Sequence, residues 1–342
     1  MEEKRNFDLL TLGQVLLRLS PPNNDRLVRG DTFVKQVGGA ELNVAVGVAL
    51  LGLRTGVISK LPSHDMGSFM KGKIRSYGVS DDFFMYDDSP SARVGIYYYE
   101  NGAYPRKPKV IYDRANSSFY SLKIDEIPEK AYTASRCFHT SGITLALSPK
   151  VRETAIEMIK RFKAAGTLVS FDVNFRGNLW TGEEAKECIE QILPYVVLFF
   201  CSEDTARLTF KKTGTAREMM KSFTEEYPIS IVASTQRIVH SPKSHTFGSI
   251  IYDARKDIYY EEEPYRDIDV VDRIGSGDAY ISGALYGLLT SDFDCEKAVR
   301  YGNATSAVKN TIPGDLPSSD LEEIETIIKA HNQTGFQSEM AR

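Results

Sequence analysis

Val271-Asp272-Arg273-Ile274-Gly275-Ser276-Gly277-Asp278-Ala279 is a glycine-rich turn that opens a helix. Beyond it, Ile281, Ala284, Leu285, Leu288 and Leu289 recur at i, i+3, i+4, i+7 and i+8, the apolar face of a helical period. Glycines at 275 and 277 let the backbone come close to a ligand, and the free N–H groups and positive dipole end of a first turn favour an anion. The segment therefore reads as a phosphate seat, with Asp278 beside it to accept a proton from an alcohol attacking phosphorus. Glycines and acidic residues are also common at helix starts for structural reasons alone, so the local pattern leaves both readings open. Two other phosphate motifs are absent: there is no GxxxxGK[ST], and Tyr280 stands where GxGxxG needs its third glycine.

Outward from this turn, short apolar segments alternate with helical patterns. Leu9–Leu12, Gly56–Ser59, Cys137–Thr140, Leu168–Asp172, Val196–Cys201 and Ile229–Ala233 read as buried strands, each leading into a helix. That alternation predicts an α/β fold with a central, mainly parallel sheet. Helix starts are marked by Ser148-Pro149 and by capping boxes at Thr181/Glu184 and Thr215/Glu218. Two stretches, about 15–37 and 83–112, are rich in aromatic and β-branched residues without helical spacing. They predict extra strands that pair into a small lid over the carboxyl ends of the main strands, where open α/β sheets bind ligands. No repeat or linker divides the chain, so one domain is expected over residues 1–342, with the end from about His331 frayed.

Composition narrows the classes. The chain has 342 residues, 42% hydrophobic and 26% charged, as in ordinary soluble enzymes. A net charge of -4 with scattered Lys and Arg argues against nucleic acid as a partner. Apolar runs fall short of the ~20 residues of a membrane span, and the charged amino terminus lacks the features of a secretion signal, so a cytoplasmic location is expected. Cys137, Cys188, Cys201 and Cys295 form no CxxC pair, which predicts reduced, buried thiols rather than a zinc site.

Residues 272–278 resemble the D-x-x-G-A-G-D signature of the ribokinase-like (PfkB) carbohydrate kinases, with Ser276 in place of alanine. Val37-Gly38-Gly39-Ala40-Glu41-Leu42-Asn43-Val44-Ala45 resembles the same family's amino-terminal signature, and the likeness runs from about Leu9 to Leu316. It implies a three-layer sandwich with a β lid, ATP and Mg²⁺ as cofactors, Asp278 as base, and Gly275, Ser276 and Gly277 as the group that stabilises the transferring phosphoryl. Leu16–Pro22, Gly95–Tyr97, Val110–Arg114, His139–Thr144, Asp172–Arg176 and Lys309–Asp315 are similar to the family's 2-keto-3-deoxygluconate kinase group. That similarity implies phosphorylation of the 6-hydroxyl of a sugar acid contacted by Gly38, Gly39, Asn43, Tyr97, Tyr112, Arg114, Ile143, Arg176 and Asp278. A carboxylate with an adjacent keto oxygen suits arginine's planar donor fork. The nucleotide falls to Ser202, Thr235, Arg237, Gly275, Gly277 and Asn303, and the metal ligands are left unassigned.

Structural readings stand beside these. Tyr97 in Tyr97-Tyr98-Tyr99 could be strand packing, Arg114 a solvent-facing strand residue, and His139 a hydrogen-bonded core residue. The chain departs from the family at Gln14, where glutamate is usual, and at Thr205, where a carboxylate is usual. It departs again at Ser234–His240, where Arg237 replaces a glycine-rich loop. Two rivals remain: a ribokinase- or fructokinase-like kinase of a neutral sugar, and a non-catalytic sugar-binding paralogue. Exposed lid strands point to a homodimer or higher homo-oligomer formed through the lid.

Overall fold

A computed structural model describes residues 5–331; the chain end expected to fray falls almost wholly outside them. Fourteen strands occur among these residues: β1 (Phe7–Leu12), β2 (Leu16–Ser20), β3 (Val34–Gly38), β4 (Thr55–Pro62), β5 (Ser80–Asp87), β6 (Gly95–Glu100), β7 (Lys109–Asp113), β8 (Ser135–Ser141), β9 (Leu168–Asp172), β10 (Leu198–Phe200), β11 (Ile231–Ser241), β12 (Ser244–Asp253), β13 (Ile258–Glu261) and β14 (Tyr265–Asp269). The main sheet runs β13-β12-β11-β10-β9-β8-β1-β4-β5, with β14 added to β12, and is parallel from β11 to β5. A second sheet, β3-β2-β6-β7, forms the lid.

Alternation along the parallel strands builds the layers, because successive side chains point to opposite faces. Leu9, Cys137, Leu198 and Ile231 pack with Val44, Ile281, Leu285 and Val299 of the helices on one side. Leu10, Phe138, Val169, Phe199 and Val232 pack with Met158, Phe162 and Phe223 on the other. The helix Pro149–Ala164 begins with Ser148 accepting from Val151 N–H, and both expected capping boxes form. All four cysteines are free and buried. No helix among the described residues is long and apolar enough to cross a membrane.

Three expectations need correction. Phe83 and Phe84 belong to β5, which pairs in parallel with β4 at the edge of the main sheet, so the second lid segment begins at Gly95. The cause is burial: Phe83 packs against the main core, and an edge strand beneath a helix carries the same residues as a lid strand. Second, β11 leads into the antiparallel β12, not into a helix. Third, the helix Ser276–Leu289 is buried on every side from Ala279 onward. It lies between the helices Ala40–Leu50 and Cys295–Asn310, and a Cβ at Gly283 would sit 2.3 Å from Tyr301 O, so only glycine permits that approach.

Phe162 stacks on Phe138 with ring centroids 4.0 Å apart and meets Tyr132 edge-on at 5.1 Å. Phe162→Ala is expected to lower unfolding free energy by ~3–5 kcal/mol, the cost of an aromatic deletion in a packed core, read from the urea midpoint.

Candidate active site

The carboxyl ends of β1, β8, β9, β10 and β11 and the inner face of the lid enclose a cavity of about 760 Å³. On its wall, Gly275 ends the turn before the helix with φ 82°, and a Cβ there would stand 2.1 Å from Asp315 O. Gly275, Ser276, Gly277 and Asp278 all line the cavity at the amino end of that helix. Asp278 accepts a hydrogen bond from Asn43 Nδ2 at 2.7 Å. Burial pushes its carboxyl up to about 7, with Asn43 and Arg176 pulling down and Glu41 and Asp315 pushing up. Asp172, at the end of β9, also rises to about 7, through burial and then the nearby charge of Asp278. The site thus holds two carboxyl groups that change charge near neutrality.

A buried ionic strap joins the lid to this turn. Arg18 on β2 donates from Nη2 to Asp272 at 2.5 Å and from Nη1 to Asp315 at 2.8 Å, with its guanidinium 4.3 Å from the Tyr99 ring centroid. Asp272 in turn accepts from Ile274 N–H at 3.0 Å and Gly314 N–H at 3.1 Å, which shapes the turn's backbone. The Tyr97 hydroxyl donates to the Asp315 carboxylate. Lys309, also buried, donates to the carbonyls of Asp272 at 3.3 Å and Ile312 at 3.2 Å.

On the lid side of the cavity, Arg114 is buried just beyond β7. Its Nε donates to Gln14 Oε1 at 2.8 Å, and Gln14 Nε2 donates back to Arg114 O at 3.1 Å and to Ser117 Oγ at 2.6 Å. Among the described residues both Nη groups lack a hydrogen-bonded or ion-paired partner, and Arg114 lines the cavity. Gln14 therefore orients Arg114 without neutralising it. Tyr112, Ile143 and Gly39 also reach the wall. Tyr97 reaches it with its ring, since Asp315 holds its hydroxyl. Gly38 lies behind the wall, where a Cβ would strike Asp315 Oδ2 at 2.2 Å. Glu41 is fully buried, accepts from Ser141 and Thr144 hydroxyls at 2.6 and 2.7 Å, and has its carboxyl raised by burial.

Toward β10 and β11, Ser202, Asp204, Thr205, Thr235, Arg237 and Arg273 line the cavity. Ser202 caps the helix Glu203–Leu208 by accepting from Thr205 N–H. Glu203 is paired with Arg207, so Asp204 is the carboxylate left on the wall. Arg176, Arg237 and Arg273 face the cavity without an ion pair among the described residues. Asn303 does not reach it: its amide accepts from Ser249 Oγ and donates to Glu262, tying a helix to the sheet. His139 is a core residue, bonded to Ser170 at 2.8 Å and pushed down to about 3 by burial.

Residues 6–320 match the family model described as pfkB family carbohydrate kinase. The chain belongs to the pfkB family. A 2-dehydro-3-deoxygalactonokinase of Haloferax volcanii is 33% identical over 94% of this chain and 96% of its own length. A 5-dehydro-2-deoxygluconokinase of Shouchella clausii is 26% identical over 96% and 97%. The crystal structure of a 2-dehydro-3-deoxygluconokinase from Thermotoga maritima superposes with TM-score 0.90 and 31% identity, covering 95% of this chain and 98% of that one.

For a pfkB carbohydrate kinase, the residues named from sequence all line this cavity except Gly38 and Asn303, but no role was assigned to Arg18, Glu41, Asp172 or Asp315. A signal was present: arginine amid the apolar run Leu16–Leu19 is a charge in a strand bound for the interior. Arg18→Met would leave two buried carboxylates without their cation. It is expected to destabilise this kinase by ~3–5 kcal/mol in urea, far beyond the effect of losing a surface pair such as Arg207–Glu203.

Proposed function

We propose that this kinase transfers the γ-phosphoryl of MgATP to the 6-hydroxyl of 2-keto-3-deoxy-D-gluconate, giving the 6-phosphate and ADP. The observation that carries the acid substrate is Arg114: a buried guanidinium on the cavity wall, hydrogen-bonded through Nε and 5.5 Å from the Tyr112 ring centroid, keeps both Nη groups without a hydrogen-bond or ion-pair partner among the described residues. A carboxylate with its neighbouring keto oxygen is the partner that satisfies such a fork. The names of the Haloferax and Thermotoga relatives share that 2-dehydro-3-deoxy acid end.

In this reading Asp278 takes the proton of the attacking hydroxyl as the new O–P bond forms and the bond to ADP breaks. The N–H groups at Gly275 and Gly277 and the helix dipole stabilise the moving phosphoryl, joined by Ser276 N–H once it leaves Arg273 O, to which it donates at 3.3 Å, and Arg176, Arg237 and Arg273 face the polyphosphate. Among the described residues no cluster of three His, Cys, Asp or Glu is placed to hold a metal. Mg²⁺ would be held by ATP phosphates and water with at most a carboxylate such as Asp204, and would supply charge neutralisation for the transfer. The deciding experiment is ADP release against the gluconate and galactonate keto-deoxy acids, ribose and fructose, and preference for a neutral sugar would sink the acid assignment.

A base with a carboxyl raised to about 7 works only when ionised, so kcat/KM should fall tenfold per pH unit below about pH 7 and level off above it. Asp278→Asn should lower kcat at least ~10²-fold with sugar-acid affinity held within a few-fold. Near-normal turnover in that variant removes Asp278 from the role.

Arg114→Leu should cost the keto-deoxy acid about 10- to 150-fold in kcat/KM, the worth of a charge-assisted contact, while slow turnover of a neutral sugar stays unchanged or improves. Equal losses on both would mean that Arg114 serves the fold instead.

Assembly through the lid belongs to the same proposal. Strand β7 is exposed along its whole length, and Ile111 lies beside Tyr98 on the lid's outer face, with Phe33 against Tyr98 at 5.9 Å. Ile111→Arg should shift the protein from dimer to monomer by light scattering; an unchanged mass places the interface elsewhere.

A further inference from the structure

A second cavity, of about 380 Å³, lies beside the first, and the proposed reaction makes no use of it. Its walls come from the lid loop with Lys107, the β11–β12 turn with Lys243, and the segment Val270–Arg273 that runs into the phosphate turn. Lys107, Lys243 and Arg273 have no ion pair or side-chain hydrogen bond among the described residues. Asp272, the carboxylate on that wall, is already committed to Arg18 and to Gly314 N–H. His245 is 2% exposed, lines the same cavity, and its Nδ1 has no hydrogen-bond partner.

Lys107, Lys243 and Arg273 are exposed and border one partly enclosed space, a concentration of positive charge that suits a small polyanion. Apolar side chains at Val239, Val270 and Pro108 leave room for a short carbon body. We propose that this cavity binds a small phosphorylated anion, and that the bound anion inhibits the kinase by drawing Arg273 out of the active cavity.

Arg273 is the link because it borders both cavities and nothing holds it in either. It stands two residues before Gly275, so its side chain serves the nucleotide phosphates only while it points toward the phosphate turn. An anion seated between the two lysines competes for that guanidinium, and the nucleotide loses one cation. The effect is a raised KM for ATP with kcat nearly unchanged, and it does not depend on which sugar is the substrate.

The probe is 3-phosphoglycerate, with glycerate as the same carbon body lacking phosphate, in steady-state assays using the best sugar of the substrate panel. The wild type should show a raised KM for ATP with 3-phosphoglycerate and at least ~10-fold weaker inhibition by glycerate. In Lys107→Glu/Lys243→Glu the uninhibited kinetics should match wild type, and the inhibition constant should rise at least ~10-fold, as expected when charge-assisted contacts are lost. Lys150→Glu/Lys160→Glu, the same charge change on the far helix Pro149–Ala164, should leave inhibition as in wild type. Equal inhibition of wild type and Lys107→Glu/Lys243→Glu would place the anion in the active cavity and overturn the proposal. So would absence of inhibition in wild type, or an equal loss in the distant pair, which would reduce the effect to net charge.

Discussion

The pairing of Arg18 with Asp272 and Asp315 is the contact on which the arrangement of the site depends. One guanidinium on a lid strand holds the carboxylate that shapes the phosphate turn and the carboxylate that meets Tyr97 and abuts Gly38. The carbonyl of the same Asp315 presses against Gly275. The lid and the amino end of the helix are therefore both built on one residue. Buried ion pairs often add little net stability compared with apolar packing, but they specify geometry when every lone pair is satisfied. Here burial tends to neutralise Asp315, while Arg18 and the Tyr97 hydroxyl favour its charged form.

That dependence explains what was legible in the chain and what was not. The phosphate turn could be read because its parts are consecutive: glycines, a first-turn acid and a helical period lie within residues 275–289. The caps at Ser148, Thr181 and Thr215 could be read for the same reason. Arg18 and Asp315 are 297 residues apart, and no local rule joins them. Asn303 shows the opposite failure. Its position by resemblance suggested the nucleotide, but Ser249 and Glu262 occupy its amide and turn it inward.

The misplaced strand and the missed hairpin have a shared cause. A strand's composition reports the burial of its faces, not the sheet it joins. Phe83 on β5 and Tyr97 on β6 stand in aromatic runs that look alike in sequence, yet Phe83 covers the main core and Tyr97 roofs the cavity. The run from Ile231 onward shows β-branched residues without helical spacing, a Pro242-Lys243 turn, and then a second such run. That was the available sign of an antiparallel hairpin, and the alternating α/β expectation overrode it.

The charges of the cavity fit the proposed reaction. Arg114, Arg176, Arg237 and Arg273 stand in it without ion pairs among the described residues, in a chain whose net charge is -4. A polyphosphate arriving beside Asp278 adds negative charge, which favours the protonated carboxyl and works against its use as a base. Arg176 already favours the ionised form of both Asp278 and Asp172. Arg237 and Arg273, whose mutual proximity is unfavourable while the cavity is empty of anions, become favourable once phosphates lie between them. In the proposed reaction the arginines thus do more than hold the nucleotide: they let a carboxylate stay ionised next to the anion whose transfer it assists.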